Sequence, residues 1–148
     1  MSTRVRKAMV PDATALLNLV QAHAAFERGV APLSLDDLET ILSADNPPTH
    51  LLVAEAHTAL VGYAAVTLDF SLWQGCPYGH LDCLFVVARA RGRGIGRQLF
   101  NAAVRLVQAE DVDRLEWQTP VWNSDAIRFY LRIGAIGVTK ERFAIPIR

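Results

Sequence analysis

Apolar and polar positions alternate in "RVRKAM", near the start of the chain, with the period of two that marks a half-buried strand. Asp12 then stands where a helix N-cap belongs, ahead of Leu16, Leu17, Leu19 and Val20, and the pattern predicts a helix that runs to about Glu27 and ends near Gly29. After Pro32, "SLDDLETIL" offers Ser34 as N-cap with Asp37 three residues on, and places Leu35, Leu38, Ile41 and Leu42 on one face of a second short helix. "HLLVAEA" and "LVGYAAVTLDF", split by the short "HTA", read as an antiparallel hairpin, and "GHLDCLFVV" as a further strand. From Arg93 the period changes: Ile95, Leu99, Ala103 and Leu106 recur every three or four residues, so a helix begins as a glycine loop ends. "RLEWQTPVW" predicts a strand broken by Pro120. "NSDAIRFYLRIG" predicts a short helix with Ser124 or Asp125 near its cap and Gly134 just past its end. "IGVTKERFAIPIR" is expected to close the chain as one or two strands. The order is β-α-α-β-β-β-α-β-α-β, a mixed α/β domain without internal repeat or linker.

A chain of 148 residues, 51% apolar, suffices for one well-buried core, so residues 1–148 are expected to form a single domain. The 15 basic and 15 acidic side chains cancel, which removes any global field for nucleic acid or an anionic membrane and leaves only local electrostatics. The N-terminus is charged where a signal peptide needs an apolar core, and no apolar run is long enough for a membrane span, so a soluble cytoplasmic protein is expected. Cys76 and Cys83, the two cysteines, are too few for a disulfide framework and are expected to stay reduced. His80 between them does not complete a zinc set, and no metal is expected.

Chemistry concentrates in "LFVVARARGRGIGRQLF", where a strand passes into a loop carrying Gly92, Gly94 and Gly96 and then into a helix. A helix N-terminus presents unpaired backbone N–H groups and the positive end of the helix dipole, a ready site for phosphate oxygens. Glycine lets the backbone approach a ligand, and Arg91, Arg93 and Arg97 add charge at the rim. Neither known glycine motif fits: no G-K-[ST] follows, and Arg97 occupies the place of the third dinucleotide-fold glycine. What remains is R-x-x-G-x-G, with a flexible basic turn as the plainer alternative.

"RGRGIG" after the strand "LFV", followed by "WNSDAIRFYLRIGA", resembles motifs A and B of the GNAT acetyltransferases. "AAFERG", "FSLWQG" and "HLDCLFV" extend the likeness to the diamine acetyltransferase branch, the spermidine/spermine N-acetyltransferase-like proteins. The resemblance implies a GNAT fold, with a mixed, mostly antiparallel central sheet and helices on both faces. It implies acetyl-CoA as co-substrate, held by the backbone of Leu84, Phe85 and Val86, by the loop from Arg91 through Gly92, Arg93, Gly94, Ile95 and Gly96 to Arg97, and by Asn123. It also implies a homodimer. Left to itself, Asn123 reads equally as a cap.

Acetyl transfer to an amine needs a neutral nucleophile, and a free alkylamine with a pKa of about 10.4 is almost wholly protonated at neutral pH. A base must therefore remove a proton, and the departing thiolate must receive one. Asp82 is the leading base, through water, and Glu116 the second, on the two strands that splay apart in this superfamily; either carboxylate can instead serve only as an arginine partner. Tyr130 matches the family's general-acid tyrosine, with core packing beside Phe129 as its alternative. Glu27 matches a substrate-facing glutamate of the diamine branch, and Trp73 a tryptophan of that branch, suited to a cationic amine. The chain departs from the branch at Asp82–Cys83, where two adjacent acids are usual. The shorter side chain and the lost charge weaken the case for a long polyamine and leave room for a lysine-like or thialysine-like acceptor.

The expected function is acetylation of a primary amine on a small cationic molecule: a polyamine, a diamine or a lysine-like amino acid. A protein lysine or N-terminal acetyltransferase and a non-catalytic acyl-CoA sensor remain as alternatives.

Overall fold

The computed structural model describes residues 2–148. Contacts divide the chain into two compact units, Met1–Trp117 and Gln118–Arg148.

In the first unit, β1 (Thr3–Lys7), β2 (His50–Ala56), β3 (Ala59–Ser71), β4 (Cys76–Val86) and β5 (Leu115–Glu116) make one open sheet in chain order. The first four strands pair antiparallel, and β5 joins β4 in parallel. The β2–β3 hairpin turns through His57 and Thr58, both at positive φ. Strand alternation sends neighbouring side chains to opposite faces. Leu52, Ala54, Ala64 and Val66 pack against Leu99 and Ala103 of α3 (Ile95–Gln108), while Val53 and Tyr63 join Leu16 and Leu19 of α1 (Ala13–Phe26) and Leu38 of α2 (Leu35–Ser43). Helices therefore cover both faces, as expected.

Ser34 caps α2 through a reciprocal box: its hydroxyl accepts from the Asp37 N–H at 3.0 Å, and the Asp37 carboxylate accepts from the Ser34 N–H at 3.0 Å. Asp12 precedes α1 without capping it by its side chain. Its carboxylate instead accepts two hydrogen bonds from the Arg6 guanidinium, at 2.7 and 2.9 Å, and one from the Met9 N–H at 2.7 Å.

These bonds, the Arg6 bond foremost, hold the Asp12 carboxyl below its usual range. A carboxylate whose folded pKa is depressed contributes stability that is present above its unfolded pKa, about 3.9, and lost as pH falls through the folded value. Asp12→Asn is accordingly expected to cost about 1–3 kcal/mol at pH 7, with the deficit shrinking on acidification, as urea titrations at pH 7 and pH 3 would read.

The expected strand over "RLEWQTPVW" is reduced to Leu115–Glu116, because its ladder to β4 is limited to Gly79–Leu115 and His80–Glu116. In the second unit, α4 (Ser124–Arg132) is capped by Asn123, with Ser124 and Asp125 directly after the cap: the Asn123 Oδ1 accepts from the Ala126 N–H at 3.4 Å. Gly134, at φ 96°, ends the helix, and the Ala135 N–H closes onto the Tyr130 carbonyl at 3.1 Å. The closing strand expected over "IGVTKERFAIPIR" is not formed: residues 135–148 hold neither helix nor strand, and Ile136, Val138, Phe143, Ile145 and Ile147 are exposed. Alternation supplies an apolar face, but a strand forms only where a neighbour supplies the ladder, and Pro146 has no N–H to give one.

Candidate active site

The glycine loop forms as its sequence demands. Gly92 and Gly94 adopt φ 77° and 79°, a left-handed conformation costly for other residues, and a side chain built at either would meet nothing within 4 Å. The backbone is bared there to whatever approaches. Gly94 is the N-cap of α3 and brings no side-chain cap; the first helical bond runs from the Gln98 N–H to the Gly94 carbonyl, at 3.0 Å. The N–H groups of Ile95, Gly96 and Arg97 thus open the helix without helical acceptors, below the exposed Arg93 and Arg97 side chains. Gly96 lies inside the first turn of α3, where it needs no unusual torsion.

The strand leading into this loop is interrupted in register. Ala65 faces Cys83 and Val66 faces Leu81, so Asp82 is left without an opposite residue on β3, as the extra residue of a β-bulge. The bulge leaves Asp82 exposed between the buried Leu81 and the half-buried Cys83. On the other side the β4–β5 ladder ends at His80 and Glu116, so from Leu81 to Val86 the strand neighbour of β4 is β3 alone. Leu84, Phe85 and Val86, which lead into the loop, lie beyond the end of that ladder.

Beside the bulge, the sheet face under α1 carries further polar groups, of which His23 and Tyr63 were not singled out from the sequence. His23, on α1, stacks on Phe85 with ring centroids 5.0 Å apart. Its Nδ1 lies 2.6 Å from the Tyr63 hydroxyl and its Nε2 3.0 Å from Glu27 Oε2. Tyr63 is 2% exposed, and the Cys83 thiol donates to Asp82 Oδ2 at 3.8 Å. Burial, followed by the charge of Asp82, pushes the Cys83 thiol up to about 11, and burial likewise raises Tyr63, so both are neutral at physiological pH. The helical spacing of His23 and Glu27 is visible in the sequence; the meeting of His23 with Tyr63 depends on how α1 packs on β3.

Arg91 reaches back to the end of β4 and to Phe26 of α1. Its Nε donates to the Val86 carbonyl at 2.8 Å, and its guanidinium lies 4.8 Å from the Phe26 ring centre and 5.5 Å from that of Phe85. Glu116 forms an ion pair with Arg114 at 2.8 Å. Trp73, 98% exposed in the β3–β4 connection, is not a packing residue of this unit. In the second unit Asn123 serves as a helix cap, and the half-buried Tyr130 packs edge-on against Phe129 with ring centroids 5.4 Å apart. Among the described residues no helix is long and apolar enough to cross a membrane.

The features of the first unit suit a ligand with a diphosphate and an extended amide arm: bared amides at a helix N-terminus, two exposed arginines and a strand edge without a neighbour. The model of the Acetyltransferase (GNAT) family matches residues 14–135. The thialysine N-epsilon-acetyltransferase of Mus musculus is 27% identical, over 99% of this chain and 92% of its own length. The spermidine/spermine N(1)-acetyltransferase-like protein 1 of Homo sapiens is 22% identical over 93% of this chain, which spans only 21% of that longer protein. Among solved structures, an aminoglycoside N-acetyltransferase in complex with CoA superposes with a TM-score of 0.79 at 19% identity, covering 98% of this chain and 95% of its own, and so shares the fold.

Proposed function

Because the chain belongs to the GNAT acetyltransferase family, we propose that it acetylates a primary amine of a small cationic molecule, a lysine-like amino acid ahead of a long polyamine. Acetyl-CoA, the co-substrate of this N-acetyltransferase, supplies the activated acetyl group. The observation that carries the reading is the bulge at Asp82, which presents an exposed carboxylate on the strand that runs directly into the glycine loop.

In this reading Asp82 takes a proton from the acceptor ammonium, directly or through one water, so that the amine can attack. Glu116 is the weaker candidate, since Arg114 already engages it. Tyr130 gives its phenolic proton to the departing sulfur. The backbone from Leu84 to Val86 pairs with the amide arm, the α3 amides and Arg93 and Arg97 hold the diphosphate, and Asn123 adds a contact beside its capping role. Glu27 and Trp73 attract the second positive end of the acceptor. The preference for a lysine-like acceptor is supported by Cys83 in place of a second acid and by the activity that the mouse relative's name states. Residues 1–148 act as one domain in the cytoplasm, and as a homodimer, the last as the resemblance to the diamine branch implies.

Thiol release from acetyl-CoA, measured against thialysine, lysine, putrescine, spermidine, an aminoglycoside and a basic peptide, tests the reading. Turnover is expected with a small free amine, thialysine above spermidine; turnover with the peptide alone would contradict it.

The diphosphate site has its own test. Gly94→Val forces a β-branched residue into a left-handed torsion of 79°, which displaces the loop amides. Its acetyl-CoA Kd, read by calorimetry, is expected to rise about tenfold or more, equivalent to about 1.4 kcal/mol.

A further inference from the structure

A glutamate at the C-terminal end of a helix sits against the negative pole of the helix dipole, and its long side chain is free to swing away. Glu27, the C-cap of α1, is held all the same. His23, one turn back, brings its Nε2 to 3.0 Å from Glu27 Oε2 and its Nδ1 to 2.6 Å from the Tyr63 hydroxyl, and its ring stacks on Phe85 at 5.0 Å and 19°. We infer that His23 is a positioning residue for acceptor recognition: locked by Tyr63 and Phe85, it fixes the Glu27 carboxylate as the anchor for the acceptor's second positive charge. The inference deepens the proposed role of Glu27 and rests on it.

The partners of the imidazole decide its tautomer. A carboxylate only accepts, so Nε2 carries the proton that faces Glu27. In the neutral ring Nδ1 is then an acceptor, and its partner must donate. Tyr63 can do so: burial raises its pKa, the phenol keeps its proton, and at 2% exposure it is shut off from bulk water. Donation therefore runs from Tyr63 to His23 to Glu27, and it fixes the ring's tautomer as the Phe85 stack fixes its plane.

The pinned carboxylate stays available. His23 engages Oε2, 38% of the Glu27 side chain is exposed, and a carboxylate has room for several donors. The stack also sets where the carboxylate stands. Phe85 follows Asp82 by three residues on β4, so the end of α1 is fixed over the strand segment between the proposed base and the glycine loop. An acceptor that presents one nitrogen to Asp82 has its second charge left to place. An ordered carboxylate takes that charge without the rotamer loss that a free glutamate suffers on binding, a difference of about five- to tenfold in affinity. An acceptor without a second cation gains nothing from it.

The test compares thialysine with its analogue lacking the α-amino group, and putrescine with butylamine; each pair shares a reacting amine and differs in the second cation. In His23→Leu the preference for the doubly charged member, read as a ratio of kcat/KM, is expected to fall about five- to tenfold, with the loss in KM rather than kcat. His23→Gln, whose amide N–H can reach the same oxygen, should recover most of the preference. Tyr63→Phe keeps the ring packing and removes the donor to Nδ1, so its preference should lie between wild type and His23→Leu. Ring-nitrogen NMR should show the Nε2–H tautomer in the wild type and a mixture in Tyr63→Phe. Glu27→Gln should lower the same preference, and His23→Leu should lower it no further in that background. An undiminished His23→Leu effect beside Glu27→Gln, a loss of kcat shared by both members of a pair, or an Nδ1–H tautomer in the wild type would overturn the inference. If the amines turn over and Glu27→Gln leaves the preference intact, the acetyltransferase reading stands and the inference alone falls. If the wild type acetylates no amine, that reading fails and the inference falls with it.

Discussion

Asp82→Asn is expected to lower kcat/KM at pH 7 by about 10²–10⁴-fold, the range that a positioned general base supplies. The magnitude follows from the acceptor. An amine with a pKa of about 10.4 is nucleophilic only in the small unprotonated fraction, and an asparagine amide has no lone pair basic enough to enlarge it. The deficit should narrow as pH rises, because each unit toward the amine pKa supplies about ten times more free amine without help. The variant's profile should therefore climb steadily where the wild type has levelled. Asp82 is exposed and unpaired with β3 at the bulge, so its replacement should leave the fold and the acetyl-CoA Kd unaltered. A uniform loss at every pH would assign Asp82 to acceptor binding instead.

Tyr130→Phe is expected to lower kcat by about 10²-fold with little change in the Kd for acetyl-CoA. A phenol with a pKa near 10 can protonate a thiolate only when held against it, so the hydroxyl acts on the departing sulfur and contributes little to ground-state binding. The edge-on contact with Phe129 and the cap that closes on the Tyr130 carbonyl involve ring and backbone, and phenylalanine preserves both. Burst and steady-state thiol release, with calorimetry on the same preparation, separate a lost proton donor from a lost site. Normal turnover in Tyr130→Phe would return this residue to the packing role that its sequence also allows.

The parts of the fold that were legible in the sequence are those set by short-range physics. The Ser34–Asp37 box, the His57–Thr58 hairpin and the start of α3 at Ile95 each depend on residues within a few positions of one another. Gly92 and Gly94 were legible for the same reason, since the torsions they adopt are costly for any other residue. What escaped depends on partners far along the chain. The bulge that lifts Asp82 is a relation between β3 and β4, and the contact of His23 with the Tyr63 hydroxyl joins α1 to β3. The length of β5 was overestimated because alternation in "RLEWQTPVW" carries no information about where its neighbour turns away. The final segment shows the same limit: its apolar period is intact and no ladder accompanies it. Asp12 shows capping chemistry redirected, its carboxylate drawn off by Arg6, whereas the cap reading of Asn123 needed only its own local sequence.

The central claim is direct acetylation of a small cationic amine, and product analysis tests it most directly. Purified protein would be incubated with acetyl-CoA and an equimolar mixture of thialysine, lysine, putrescine, spermidine, an aminoglycoside and a basic peptide, and the products identified by mass spectrometry. The account predicts a singly acetylated small amine, with the lysine-like acceptors ahead of spermidine and the product absent from the Asp82→Asn, Tyr130→Phe double variant. Acetylated peptide as the sole product, or acetyl-CoA recovered intact beside unmodified amines, would contradict it.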